Sequence, residues 1–341
     1  MSMWKSITVT ICILTVSSVL TAESRTVHIQ RDRIVPKGYT IQQPLVKRYT
    51  LDDGVLHIYS RGFKQGDACY VELTPRGKTV YESVAMELLF IRDGSEDSCF
   101  VRLKKTPWGY GGFFPIHPET VPGKQILWIT YGSGGKSGEK RFPFSIGKQS
   151  FETSENVLAF KHYNTGKPMS EKTRAFIQRC SEKKKKVFSR VSVPSVDNKM
   201  AHPRGMHFVT SSFWKTRRYV RYRQDNGIKV RLEDSVKIHR GLDLRGKRGT
   251  PVYAMARGEV VLAEKMYYEG NLLILDHGDG IFSYYMHLDS FEANVGDTVD
   301  AGTLIARVGS SGRSTAPHLH VSVVMCGVQV DPLSMLSLPV R

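Results

Sequence analysis

Short apolar runs of about five residues, broken by Gly, Pro, Asp and Ser, dominate the pattern along the chain. In the first half, β-branched and aromatic residues gather at 55–59, 69–73, 86–91, 99–103, 126–131 and 141–146. Turn clusters such as Arg92-Asp93-Gly94-Ser95 and Gly132-Ser133-Gly134-Gly135 separate them. Short strands punctuated in this way predict a β-sandwich, with an immunoglobulin-like arrangement as the expectation. The period changes after residue 150. Pro168 precedes a stretch, 169–191, in which Phe176, Ile177, Cys180, Val187 and Val191 approximate one apolar helical face. Lys183, Lys184, Lys185 and Lys186 make a solvated face of that helix the expected reading. Strand signals return at 252–256, 259–263, 272–276, 282–287, 304–308 and 318–325. The expected fold class is mainly β. Its parts are an N-terminal β-sandwich over 23–150, a helical linker over 151–200 and a C-terminal antiparallel sheet domain over 201–341.

Residues 1–22 change the picture. Lys5 supplies a positive start, Ile7 to Leu20 an apolar stretch, and Leu20-Thr21-Ala22 a small-residue end. This predicts a secretory signal peptide. The stretch is shorter than the roughly 18 apolar residues a spanning helix needs, so no stable membrane span is expected after cleavage. The 341 residues carry 49 Lys+Arg against 32 Asp+Glu, a formal charge of +17. That excess favours a polyanionic surrounding. Export disfavours nucleic acid and leaves anionic lipid or an anionic cell wall, with the chain in the periplasm, at the cell envelope or outside the cell. Of the five cysteines, Cys12 leaves with the signal. Cys69 and Cys99 are the first pair to consider for a disulfide, with buried free thiols the alternative.

The chemistry lies in three groups: His239-Arg240-Gly241-Leu242-Asp243, Tyr285-Met286-His287-Leu288 and Pro317-His318-Leu319-His320. Side chains alternate along a strand, so His318 and His320 share a face and Leu319 and Val321 turn to a core. Gly241 permits close backbone approach. Imidazoles and one carboxylate from these groups supply an N/N/O set of the kind that holds catalytic zinc with room for water. Thiolates are absent from it, which disfavours copper(I) and iron–sulfur centres. His277 reads as a turn histidine that supports the sheet.

With Gly249-Thr250-Pro251-Val252, Val308-Gly309-Ser310-Ser311-Gly312, Ser314 to His320 and Val330-Asp331-Pro332 added, the stretch from about 207 to 333 resembles the lysostaphin/LytM-type zinc endopeptidases, family twenty-three of the metallopeptidases. The resemblance implies that His239, Asp243 and His320 bind one Zn²⁺ and that His287 and His318 are the catalytic histidines. It implies hydrolysis of peptide bonds in peptidoglycan, in cross-links or stem peptides. Three departures stand out: Ala316 where the family has Gly, Trp214 where it has Gly after Phe213, and a charged insert over 221–237. Competing readings are a non-enzymatic activator of a wall amidase with the same fold, a surface adhesin acting through the N-terminal domain, and an N-terminal domain that covers the site.

Overall fold

The computed structural model describes residues 36–159, 169–190, 199–225, 228–231 and 234–339. The expected signal segment lies outside them. The first part runs β1 (Leu45–Leu51), β2 (Gly54–Ser60), β3 (Ala68–Pro75), β4 (Ser83–Arg92), β5 (Ser95–Arg102), β6 (Lys104–Thr106), β7 (Gly109–Pro115), β8 (Gly123–Ser133) and β9 (Lys136–Ile146). Next come β10 (Thr153–Ala159) and α1 (Glu171–Phe188). The second part runs β11 (Val209–Ser211), β12 (Lys215–Asp225), β13 (Ile228–Arg231), β14 (Ser235–His239), β15 (Leu242–Arg245), β16 (Pro251–Tyr253), β17 (Gly258–Met266), β18 (Gly270–Asp276) and β19 (Ile281–Phe291). It ends in β20 (Thr298–Val299), β21 (Leu304–Val308), β22 (His318–Met325), β23 (Val328–Val330) and α2 (Pro332–Met335).

Two antiparallel sheets, β1-β2-β3-β7-β6 and β5-β4-β8-β9, enclose the first core. Period-two alternation builds it. Val84, Met86, Leu88 and Phe90 of β4 point inward, as do Leu127 and Ile129 of β8, against Leu56, Ile58, Val71 and Leu73 of the other sheet. The immunoglobulin-like expectation meets a different strand order. An immunoglobulin domain sends its third strand to the second sheet, whereas β1, β2 and β3 pair in succession within one. Cys69, Cys99, Cys180 and Cys326 are free thiols. Cys69 and Cys99 sit on strands of opposite sheets and serve as small residues of one core, so the disulfide expectation is corrected.

Residues 151–200 are more than a helical linker. β10 pairs in parallel with β12, with Thr153 opposite Thr216, and so joins a sheet of the second part. Parallel pairing with a distant strand leaves no local turn signal, which explains why alternation missed it. Helix α1 matches expectation in place. Ser170 caps it by accepting from Thr173 N, with Glu171 in the first turn and Lys185 and Lys186 in the last. Cys180, Val187, Phe176 and Phe188 pack on Val261, Met266, Ile274 and Phe282, so the helix is fastened to the sheet. The lysine run is partly engaged: Lys183 pairs with Glu264 at 2.6 Å and Lys184 pairs with Glu269. No described helix is long and apolar enough to cross a membrane.

β22 lies at the centre of the large sheet, between β15 and β19. Leu319, Val321, Val323 and Met325 enter the main core on one face, and His318, His320, Ser322 and Val324 take the other. The sheet β1-β2-β3-β7-β6 extends that core through Tyr59, Tyr70 and Phe113. Arg61 bridges Asp67 (2.8 Å) and Asp331 (2.9 Å), Asp331 N donates to Gly66 O (2.8 Å), and Ala68 N donates to Ser334 Oγ (2.9 Å). Asp67 is only 1% exposed at its side chain. Removing one partner of a buried ion pair leaves an uncompensated charge, a loss of about 3–5 kcal/mol. Arg61→Ala is therefore expected to lower unfolding free energy by that order in urea titration, with Arg76→Ala on the surface as the unaffected control.

Candidate metal centre

Strand register brings the five predicted residues together. Asp243 of β15 lies opposite His320 of β22, and Met286 of β19 lies opposite His320 on the other side. Leu242 and Leu244 enter the core, so Asp243 and Arg245 share the face of His318 and His320. His239 ends β14 and reaches the same point after the turn at Arg240-Gly241. A Cβ on Gly241 would strike Ser322 Oγ and the His320 ring. Close backbone approach is thus a requirement there.

His287 arrives by a different route. Tyr285 pairs with Leu273 and Leu288 with Asn271, so β19 carries one extra residue in this interval. Tyr285 and Leu288 both enter the core. Strict alternation would send His287 the same way as Tyr285. The bulge instead turns it towards His318, at 5.0 Å between ring centroids, with a left-handed backbone at φ 60. Asn271 and Ser311 hold the bulge. Asn271 Nδ2 donates to Leu288 O (3.0 Å) and Asp289 O (3.1 Å), and Ser311 Oγ donates to Leu288 O (2.7 Å). Gly270 and Gly312, both at positive φ, let their backbones cross beside Ser311.

Each histidine has its outer nitrogen engaged. His239 Nδ1 donates to Ser212 O (2.8 Å), His287 Nδ1 to Ser311 O (2.9 Å) and His318 Nδ1 to Ala316 O (2.8 Å). A carbonyl only accepts, so these nitrogens carry the proton and each Nε2 carries a lone pair. Ser322 Oγ donates to Arg240 O (3.0 Å) and so accepts from His320 Nε2 (2.9 Å), leaving the lone pair of His320 on Nδ1. The lone pairs of His239 and His320 and the carboxylate of Asp243 then meet. His239 Nε2 is 3.0 Å from Asp243 Oδ1 and 3.0 Å from His320 Nδ1, and His320 Nδ1 is 2.8 Å from Asp243 Oδ1. Three acceptors at this spacing repel one another unless a proton or cation stands among them. Ligand atoms about 2.0–2.2 Å from one ion at tetrahedral angles stand roughly 3.3–3.5 Å apart, a few tenths of an ångström wider than seen. The two-imidazole, one-carboxylate donor set fits a divalent ion of the zinc type.

Electrostatics supports the anionic state of the carboxylate. Burial pushes Asp243 up, but once the inner nitrogens of His239 and His320 take protons, their hydrogen bonds and charge outweigh it and hold Asp243 well below the usual carboxylate range. Burial lowers His320 against the pull of Asp243, and lowers His287 to about 4 against its bond to Ser311. Arg217 Nη2 stands 3.7 Å from Asp243 Oδ2 and donates to Ser211 Oγ (2.8 Å), which lies 3.2 Å from His239 Nδ1.

Residues 237–332 match Peptidase family M23. The C-terminal domain is a peptidase M23 domain. It is 37% identical over 99 residues to the DD-carboxypeptidase/endopeptidase Mpg of Neisseria meningitidis, covering 29% of this chain and 23% of that protein. It is 46% identical over 85 residues to lysostaphin of Staphylococcus staphylolyticus, covering 24% of this chain and 18% of that one. The chain thus spans about a quarter or less of the curated relatives it matches. A crystal structure of a protein from Pseudomonas aeruginosa assigned to peptidase M23 superposes with TM-score 0.51 at 22% identity, over 80% of this chain and 94% of that one. That likeness is one of fold, and it reaches beyond the M23 domain into the N-terminal sheets.

All five expected positions of the M23 domain converge. Sequence reasoning missed Ser212, Ser311, Ala316 and Ser322 as acceptors, Asn271 as the clamp of the bulge, and Arg217. Only Ser322 carried a signal, two residues beyond His320 on the same strand face. Ala316 sits outside the positive-φ positions, so its lost glycine freedom leaves the turn intact. Trp214 does occupy positive φ (58), where glycine is favoured, and packs on Phe151 and His117 of the preceding part. The insert over 221–237 continues β12 and forms β13 and β14. His277 is buried and bridges Arg257 O (2.7 Å) and Ser283 Oγ (2.8 Å), the supporting role expected of it.

Two outcomes follow from this geometry. Ser322→Ala removes the acceptor that keeps the His320 lone pair on Nδ1, so divalent-ion affinity is expected to fall roughly 10–100-fold in competitive chelator titration. His202, beside His207 and Tyr39, is also lowered to about 4 by burial. The folded form therefore resists protonation of His202 and His287, while the unfolded chain accepts protons near pH 6.5. Stability of the metal-free protein is complete above about pH 6.5 and is lost as pH falls towards 4. Each histidine contributes about 1.4 kcal/mol of that loss for every tenfold drop in its proton affinity on folding. Equal urea midpoints at pH 7 and pH 5 would contradict this.

Proposed function

We propose that this chain is an exported zinc-dependent endopeptidase that hydrolyses peptide bonds of peptidoglycan. One observation carries the reading. Four imidazoles, each with its outer nitrogen engaged, aim lone pairs at the surroundings of one carboxylate oxygen, with His318 Nε2 3.7 Å from Asp243 Oδ1. His239, Asp243 and His320 would hold Zn²⁺. When bound, zinc acidifies water and polarises a carbonyl as a Lewis acid. His287 and His318 divide the proton work: one Nε2 takes the proton of the attacking water and returns it to the leaving amine. The other, protonated, donates to the developing oxyanion. The bonds to Ser311 O and Ala316 O occupy both Nδ1 atoms and aim both Nε2 atoms at the reacting centre.

The signal pattern over 1–22 and the charge of +17 support export and concentration on an anionic wall. The reading places a signal peptide at 1–22, a β-sandwich domain at 23–150, a linker at 151–200 and the peptidase domain at 201–341. Relatives named as DD-endopeptidases and lysostaphin support the substrate class. A non-enzymatic activator of a wall amidase would have no need of all five residues. The sheet β1-β2-β3-β7-β6 extends the core on the face opposite His318 and His320, which speaks for a buttress over a cover.

Incubation with purified cross-linked peptidoglycan, followed by mass analysis of the muropeptides, is expected to show peptide-bond cleavage that chelator abolishes and zinc restores. An uncleaved wall would defeat the proposal. His320→Ala is expected to lose both zinc and cleavage. His287→Ala is expected to keep zinc and lose turnover by at least about 100-fold, the scale of general acid–base catalysis. Protonation of His239 and His320 removes ligand lone pairs, so zinc content, read by dialysis and atomic absorption, falls as pH is lowered.

A further inference from the structure

The inference rests on that reading and starts from one feature of the rim. β15 places Arg245 opposite His318, on the face that carries Asp243 and His320. Residues directly opposite in an antiparallel pair have Cβ atoms about 5 Å apart, so this guanidinium starts beside the reacting centre. Arg245 is exposed, and its guanidinium lies over the Phe208 ring at 5.3 Å. Arg245 N donates to Phe208 O (2.9 Å), which ties the ring to the strand. Phe208 is itself 50% exposed. The arrangement is a cation held on an aromatic plate at the edge of the site.

Its lack of a carboxylate sets it apart from other arginines of the domain. Arg248 pairs with Asp289 at 2.6 Å, Arg307 with Glu292 at 2.6 Å and Arg257 with Asp300 at 3.3 Å. Among the described residues no carboxylate pairs with Arg245 or with Arg240. Arg240 follows His239 directly and lies near Tyr284, which is opposite Ser322 at the other end of the triad. The nearby carboxylates Asp243 and Glu269 are already engaged, by the histidines and by Lys184. Two unmatched guanidinium groups thus bracket the site along β22.

We propose that Arg245, braced by Phe208, is a specificity residue that binds a free carboxylate on the peptide substrate close to the scissile bond, with Arg240 flanking the opposite end. The site then prefers acidic stem peptides over uncharged ones such as glycine bridges. A planar guanidinium accepts a carboxylate through two parallel bonds, which a lysine cannot copy.

The test uses the full chain and two synthetic stem peptides, identical except that the carboxylates are free in one and amidated in the other. Binding is read by calorimetry and cleavage by chromatography. Wild type is expected to bind the free acid at least 10-fold more tightly than the amide. Arg245→Gln is expected to erase that preference by weakening the acid alone, Arg245→Lys to restore part of it, and Arg248→Gln to change nothing. Zinc content and urea midpoints serve to show that the variants fold. No preference in wild type, no binding of either peptide, or equal loss of both peptides in Arg245→Gln overturns the inference. Failure of the endopeptidase reading has a different signature: acid-selective binding without cleavage of either peptide or of the wall.

Discussion

The centre depends on where four ring protons go. An imidazole offers a lone pair on one side only when the other nitrogen donates elsewhere. Ser212 O, Ser311 O, Ala316 O and Ser322 Oγ each accept from one histidine. These acceptors force the lone pairs inward upon Asp243. The resulting cluster of acceptors is unfavourable by itself and favourable around a cation. Acceptors placed behind the rings are what would make such a cluster receptive to a divalent ion.

Holding that shell requires irregular backbone on a regular sheet. β22 supplies His318, His320 and Ser322 by simple alternation. His287 needs the extra residue in β19, positive φ and the clamp of Asn271 and Ser311. A residue in the left-handed region costs about 1–2 kcal/mol, and surrounding bonds must hold it there. The glycines at 270 and 312 serve this clamp, since their backbones cross too closely for side chains.

The preceding part of the chain takes part in the same support. Trp214, also at positive φ, gives its backbone N–H to His239 O (2.8 Å) and its ring to Phe151 and His117. The loop carrying Ser212 is therefore pressed from behind by the preceding part of the chain. Arg61, Asp67 and Asp331 fasten the two parts at the other end, where Asp331 also caps α2. The fold shared with the Pseudomonas aeruginosa structure covers both parts.

Much of this was legible in the residues. Apolar runs between turn residues found most strands: β4 and β8 alternate because one face is exposed, whereas β3 and β18 are buried on both faces and read as continuous runs. Alternation also put His318 and His320 together and their neighbours in the core. Motif resemblance located the M23 domain and named five residues that the fold brings together. Three things escaped it. Strand order is set by pairings between distant segments, so β1-β2-β3 in one sheet and the parallel β10–β12 pair had no local signature. The bulge at His287 breaks the very period from which faces are read. The acceptors at Ser212, Ser311 and Ala316 are backbone carbonyls, which every residue possesses, so no side-chain pattern marks them. Local sequence determined which imidazoles and which carboxylate the fold could gather. Only tertiary packing decided the direction in which each nitrogen points, because that depends on contacts between strands far apart in the chain.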